Sequence, residues 1–151
     1  MLLPECASIV IIPIDCWNRV VERAVRFGLQ ISDDITAVHV RTEKGDDQRL
    51  RELWAENVEG PAKAAKSAVT RLELIYSPYR QIYQPILDFI NKAKKKNPDR
   101  TVAVVIPELV EPHWYEYLLH IQHGAGLKAL LYLKGAQGII VINTPWYLRE
   151  K

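Results

Sequence analysis

Two hydrophobic periods alternate along this chain. Residues 7–14 are apolar and β-branched and close on Pro13-Ile14-Asp15, the pattern of a buried strand that leads into a helix cap. Over residues 17–31, Val20, Val21, Ala24, Phe27, Leu29 and Ile31 keep roughly helical spacing among Asn18, Arg19, Glu22, Arg23, Arg26 and Gln30. Ser32-Asp33-Asp34 ends that helix, and residues 35–40, Ile-Thr-Ala-Val-His-Val, return to the strand period. A helix follows over 46–57; Gly60-Pro61 is expected to interrupt it, with a second piece over 62–68.

The same alternation continues to the end. Residues 72–76 read as a third strand, Ser77-Pro78 as a cap-like turn and 79–96 as a helix with an early Pro85. Asn97-Pro98-Asp99 turns the chain into a fourth strand over 101–106, followed by a long helix over 113–134 and a fifth strand over 138–143. Strands that alternate with helices require right-handed crossovers, so the expected fold is a three-layer α/β domain. No internal repeat or second domain is visible, and the whole chain, residues 1–151, reads as one domain. In such sheets ligands bind beyond the carboxyl ends of the strands, where the strand order reverses. Four loops are therefore nominated, over 13–17, 39–42, 77–80 and 107–111.

Composition narrows the picture. With 48% apolar and 25% charged residues the chain is globular, and a formal charge of +2 does not make a nucleic-acid footprint. The one dense basic run, residues 92–96, reads as a solvated helix end, and no nucleic-acid partner is expected. Apolar runs such as Ile9-Val10-Ile11-Ile12 fall far short of the roughly 20 residues that cross a bilayer, and no secretory signal opens the chain. Cys6 and Cys16 flank the first strand, about 33 Å apart if the ten residues are extended, so they cannot bridge each other.

The order of elements, with Ile11-Ile12-Pro13-Ile14-Asp15, Ala24 and Ala37-Val38-His39-Val40, resembles a universal stress protein. That resemblance implies a five-stranded, mainly parallel sheet of order 3-2-1-4-5 and a nucleotide crevice. Asp15 matches the acidic residue that approaches the adenosine moiety in nucleotide-binding members. Those members carry a Gly-x-x-Gly stretch and a later Gly-Ser or Gly-Thr after the fourth strand. Here that place is taken by Pro107-Glu108-Leu109-Val110-Glu111-Pro112, which has no glycine and two carboxylates that repel a triphosphate.

Ser77-Pro78-Tyr79-Arg80, the run from Pro107 through Gln122, Leu127-Lys128-Ala129-Leu130-Leu131 and residues 141–148 resemble the cytosolic tail of bacterial permeases of the amino acid-polyamine-organocation superfamily, potassium importers among them. In the potassium importers the tail dimerises and binds cyclic di-AMP, which inhibits transport. The resemblance implies membrane helices upstream of Met1 and a tail on the cytoplasmic side of the bacterial inner membrane. Its partners would be a second copy, the transmembrane part of the permease and an adenine nucleotide, with cyclic di-AMP favoured over AMP or ATP. A ligand-free dimerisation module and a stand-alone universal stress protein remain as alternatives.

The residues expected to hold the nucleotide are Pro13, Asp15, His39, Val40, Ser77, Tyr79, Arg80, Pro107 and Glu108. Asp15 has two readings, a ligand acceptor and an N-cap of the first helix. Arg80 could pair with a phosphate or form a surface salt bridge, and Tyr79 could stack on a base or on its neighbour. The apolar last strand, with Ile139, Ile140, Val141 and Ile142, should lie at a sheet edge and pair with its copy across a two-fold axis. The alternative is that Trp146, Tyr147 and Leu148 fold back over that edge.

Catalytic chemistry finds no constellation: there is no Gly-x-Ser-x-Gly elbow, no Cys-x-x-Cys and no Walker loop, so no enzyme and no cofactor are expected. Cys16 at a helix start reads as a capped, half-buried structural cysteine. His113, Glu116, His120 and His123 share one helical face, but the outer pair lie about 15 Å apart along the axis. One ion cannot take all four, and the stripe is read as polar contacts and not as a metal site.

Overall fold

A computed structural model describes residues 8–14, 16–41, 47–65, 68–77, 83–110 and 139–147; of residues 83, 108–110 and 143–147 only the backbone is considered. Five strands, β1 (Ile9–Pro13), β2 (Asp34–Arg41), β3 (Val69–Tyr76), β4 (Val102–Val110) and β5 (Ile139–Tyr147), form one parallel sheet. Their order is β3-β2-β1-β4-β5, as the sequence resemblance implies.

The strands sort their side chains by parity. Val10, Ile12, Ile35, Ala37, Ala103 and Val105 face one layer, where they meet Val21, Ala24 and Val25 of helix α1 (Arg19–Ile31). On the same layer lie Leu50 and Trp54 of α2 (Gln48–Trp54). Ile9, Ile11, Val38, Val40, Val102, Val104 and Ile106 face the other layer and pack on Ile86, Leu87 and Ile90 of a helix over Tyr83–Lys96. Helices on both faces explain why the central strands read as continuous apolar runs.

Helix α1 begins one cap later than the sequence suggests. Asn18 is its N-cap, with Oδ1 accepting from the Val21 amide at 2.9 Å, which removes the capping role considered for Asp15. At the far end Ser32 accepts from the Asp34 amide at 3.0 Å and donates to the Ser8 carbonyl, so one hydroxyl ties the starts of β1 and β2 to the end of α1. Gly28 lets α1 approach the sheet, since a Cβ there would stand 3.1 Å from Val10 Cγ1 and 3.3 Å from Ile35 Cδ1.

Gly60-Pro61 does not break the second helical region. The chain runs from α2 through a π-helical turn (Ala55–Glu59) into α3 (Gly60–Ala65), with the Gly60 amide donating to the Ala55 carbonyl. Pro61 lacks an amide hydrogen and would press on the Asn57 carbonyl in a regular helix. Widening the turn by one residue accommodates the ring without ending the helix. The helix over Tyr83–Lys96, α4, holds Pro85 in its first turn, where no amide is needed. The start of that helix expected at 79–82 lies outside the described residues. Lys94 ends α4 by donating to the Pro98 and Arg100 carbonyls, at 3.1 and 2.7 Å, while Lys92, Lys95 and Lys96 are exposed.

Two strands are longer than their hydrophobic runs. Residues 107–110 are not a loop: β4 continues through Val110, pairing Pro107 with Thr144 and Val110 with Tyr147. By that level β1 has ended, so this stretch has β5 as its neighbour and a proline is tolerated. The backbone of Trp146 and Tyr147 extends β5 and does not fold back over its edge; Leu148 lies outside the described residues. The expected long helix over 113–134 and its histidine stripe lie outside the described residues.

Candidate functional site

The register creates a notch in the sheet. Val10 pairs with Ile35 on one side and Ala103 on the other, so Pro13, the last residue of β1, is level with Val38 and, counting three residues along β4, with Ile106. Strand β2 runs three residues past Val38 to Arg41, and β4 runs four past Ile106 to Val110. At about 3.3 Å per residue the flanking strands overhang the end of β1 by roughly 10 and 13 Å. This is the point where the strand order reverses, the usual place for a ligand in an open α/β sheet.

A polar cluster lines the β2 side of the notch. Ile14 still donates its amide to the Val38 carbonyl at 2.9 Å, and its own carbonyl lies 3.1 Å from His39 Nδ1. A carbonyl only accepts, so Nδ1 carries the hydrogen. The other ring nitrogen, Nε2, stands 3.8 Å from Asp47 Oδ1. Asp47 Oδ2 accepts from Arg41 Nη1 at 2.9 Å, with Asp47 only 12% exposed. Across the register from Arg41 is Tyr76, the last residue of β3, whose ring centroid lies 5.6 Å from the guanidinium carbon.

Among the described residues two donors are covered and have no acceptor, Arg41 Nε in this cluster and Trp54 Nε1 in the core beneath α2. A buried donor left in this state costs about 1–3 kcal/mol. Trp54 meets Trp17 edge to face with centroids 6.1 Å apart, and Trp17 lies just beyond the end of β1. Asp47 holds the N-cap position of α2 but makes no side-chain bond to the helix amides. Its carboxylate goes to Arg41 and His39 instead.

Of the residues nominated from the sequence, the structure brings Pro13, His39 and Ser77 to this end of the sheet, with the Ser77 amide donating to the Arg41 carbonyl at 2.9 Å. Val40 faces the opposite layer, buried against the α4 cluster, so its side chain does not line the cluster around His39. Pro107 and Glu108 lie on the β4 overhang, paired with Thr144 and Pro145. Asp15, Tyr79 and Arg80 lie outside the described residues. Cys16 is exposed and not half-buried, with its sulfur 3.5 Å from the Asn18 side-chain nitrogen. Arg41, Asp47 and Tyr76 were not singled out, although a charged residue closing an apolar strand at its carboxyl end is a usable signal.

A separate open hollow of about 430 Å³ lies at the other end of the sheet, lined by Asp33, Asp34, Lys63, Val69 and Arg100 among others. Asp34 there is already held by Arg71 at 3.1 Å and Arg100 at 3.2 Å. No helix among the described residues is long and apolar enough to cross a membrane, and no group of three metal-ligating side chains is found among them.

Compared with known proteins, residues 6–146 match the family model described as the KimA potassium transporter C-terminal domain. The chain belongs to the KimA C-terminal domain family. It is 25% identical over 145 residues to "Potassium transporter KimA" of Bacillus subtilis (strain 168), an alignment that takes in 95% of this chain and 22% of that protein. The chain thus spans about a fifth of the curated relative's length. This agrees with the resemblance to transporter tails drawn from residues 77–80, 107–122, 127–131 and 141–148.

Proposed function

We propose that this chain is the cytoplasmic regulatory domain of a KimA-type potassium transporter, acting as a homodimer that senses an adenine nucleotide, cyclic di-AMP before AMP or ATP. The observation that carries the reading is the family match over residues 6–146, which assigns nearly the whole chain to a transporter's terminal domain. The polar cluster beside the notch supports a ligand there, because His39, Arg41 and the exposed Tyr76 present an imidazole, a guanidinium and a phenol ring. Those groups suit a base and a phosphate better than an apolar ligand.

The choice of cyclic di-AMP follows from β4. In the resembled family a glycine loop after this strand holds a linear triphosphate; here the backbone of Pro107–Val110 is engaged with β5. Ligand binding would bias the domain between two arrangements and so bias transport, without turnover. The dimer is supported by the edge position of β5, where Ile140 is 51% exposed.

Calorimetric titration of the purified chain with cyclic di-AMP, AMP and ATP at fixed salt tests this. Saturable binding of cyclic di-AMP near one per dimer is expected. No heat with any of the three would leave a dimerisation module, a reading favoured by the closure of Arg41 on Asp47 within the chain itself.

A further inference from the structure

We infer that Arg41 is the cation that grips phosphate in this notch and that Asp47 is its internal competitor, displaced when a phosphate ester binds. This rests on the nucleotide reading above and adds to it the residue that holds the phosphate and the one that opposes it.

Four observations converge. Arg41 closes β2 three residues beyond the level at which β1 stops, on the rim of the notch. Among the described residues its guanidinium is held by one carboxylate oxygen, Asp47 Oδ2 on Nη1 at 2.9 Å, while Nε has no acceptor. A guanidinium is best satisfied by two oxygens of one anion, a geometry that phosphate matches and this one-handed contact does not use. Asp47 occupies a helix N-cap without capping, so its carboxylate is not needed to hold α2. Finally, His39 Nε2 lies 3.8 Å from Asp47 Oδ1, on the side away from Arg41's contact. A carboxylate leaving Arg41 therefore stays beside a second polar side chain.

The ligand chemistry is a phosphate mono- or diester, and Tyr76 beside Arg41 provides a ring face for an attached base. In the unliganded chain Asp47 stands where a phosphate oxygen would go. The pair accordingly sets the affinity: removing the carboxylate frees the guanidinium, and removing the guanidinium leaves nothing to free.

The test is calorimetry of the parent chain, Asp47→Asn, Asp47→Ser, Arg41→Ala and Arg41→Lys against cyclic di-AMP, AMP and inorganic phosphate at fixed ionic strength, with circular dichroism to verify folding. Asp47→Asn and Asp47→Ser are expected to tighten binding about tenfold, and Arg41→Ala to weaken it by at least about tenfold. Arg41→Lys, which keeps the charge but not the fork, should bind more weakly than the parent. Binding to inorganic phosphate alone would make the ligand a free phosphate and not a nucleotide. Unchanged or weaker binding in both folded Asp47 variants, with a parent that binds, overturns the competitor and leaves the nucleotide reading intact. A parent that binds no nucleotide removes that reading; the competitor survives only if the Asp47 variants gain phosphate binding that Arg41→Ala in the same background abolishes.

Discussion

The indole of Trp17 meets that of Trp54 edge-on, with centroids 6.1 Å apart and planes at 82°. Trp17 follows the end of β1, and Trp54 is the last residue of α2 before the π-helical turn, so one aromatic contact links the notch to the irregular helix. Trp54 is 1% exposed and is among the largest fully buried side chains described.

Trp54→Ala should therefore destabilise the chain by about 3–5 kcal/mol, the usual cost of emptying a large aromatic site. Trp54→Phe should cost much less, within about 1 kcal/mol, because it keeps an aromatic ring and removes the covered Nε1 donor that lacks an acceptor. Urea midpoints at unchanged slope would report both values. Equal losses in the two variants would mean that the indole nitrogen is satisfied in solution.

At Gly28 two effects oppose each other. Alanine would gain about 1 kcal/mol of helix propensity, but its Cβ would stand 3.1 and 3.3 Å from Val10 and Ile35, both fully buried. Overpacking of this kind costs about 1–3 kcal/mol, so Gly28→Ala is expected to lose about 1 kcal/mol and Gly28→Leu far more. A higher urea midpoint in Gly28→Ala would show that the strands can yield.

The cap of α1 makes a smaller prediction. Asn18→Ala removes the acceptor of the Val21 amide and should cost about 1 kcal/mol, whereas Asn18→Asp should retain nearly all the stability. Thermal melts of the two variants compare them directly.

If β5 pairs with its copy, a charge at Ile140 should prevent it. Ile140→Lys is expected to convert the proposed dimer to a monomer in light scattering while the melting temperature of the fold falls little, because the residue is exposed. A dimer that survives this change would place the interface elsewhere.

Strands β1, β2 and β4 were legible because each core run is apolar on both faces, and the alternation with helices made a parallel sheet readable, while its strand order was implied by the resemblance to universal stress proteins. The start of β3 was not, since Val69, Thr70 and Arg71 gain their strand character from pairing with Asp34, Ile35 and Thr36. Pro107 reads as a strand end because proline lacks a donor; its pairing with Thr144 past the end of β1 shows where that donor is not required. Gly60-Pro61 misled for a related reason, as a wider helical turn accommodates what a regular one cannot.

The sequence by itself determined the alternation of strands and helices, and hence a mainly parallel α/β sheet, because these follow from local periodicity; the likeness to transporter tails rests on particular residues in order. Only the tertiary structure decided how far each strand runs past its neighbours, and hence where the notch lies. It also decided that Arg41, Asp47, His39 and Tyr76 meet at that end of the sheet. Those residues are up to 37 positions apart, and their contacts depend on strand register and helix placement, which hydrophobic spacing does not encode.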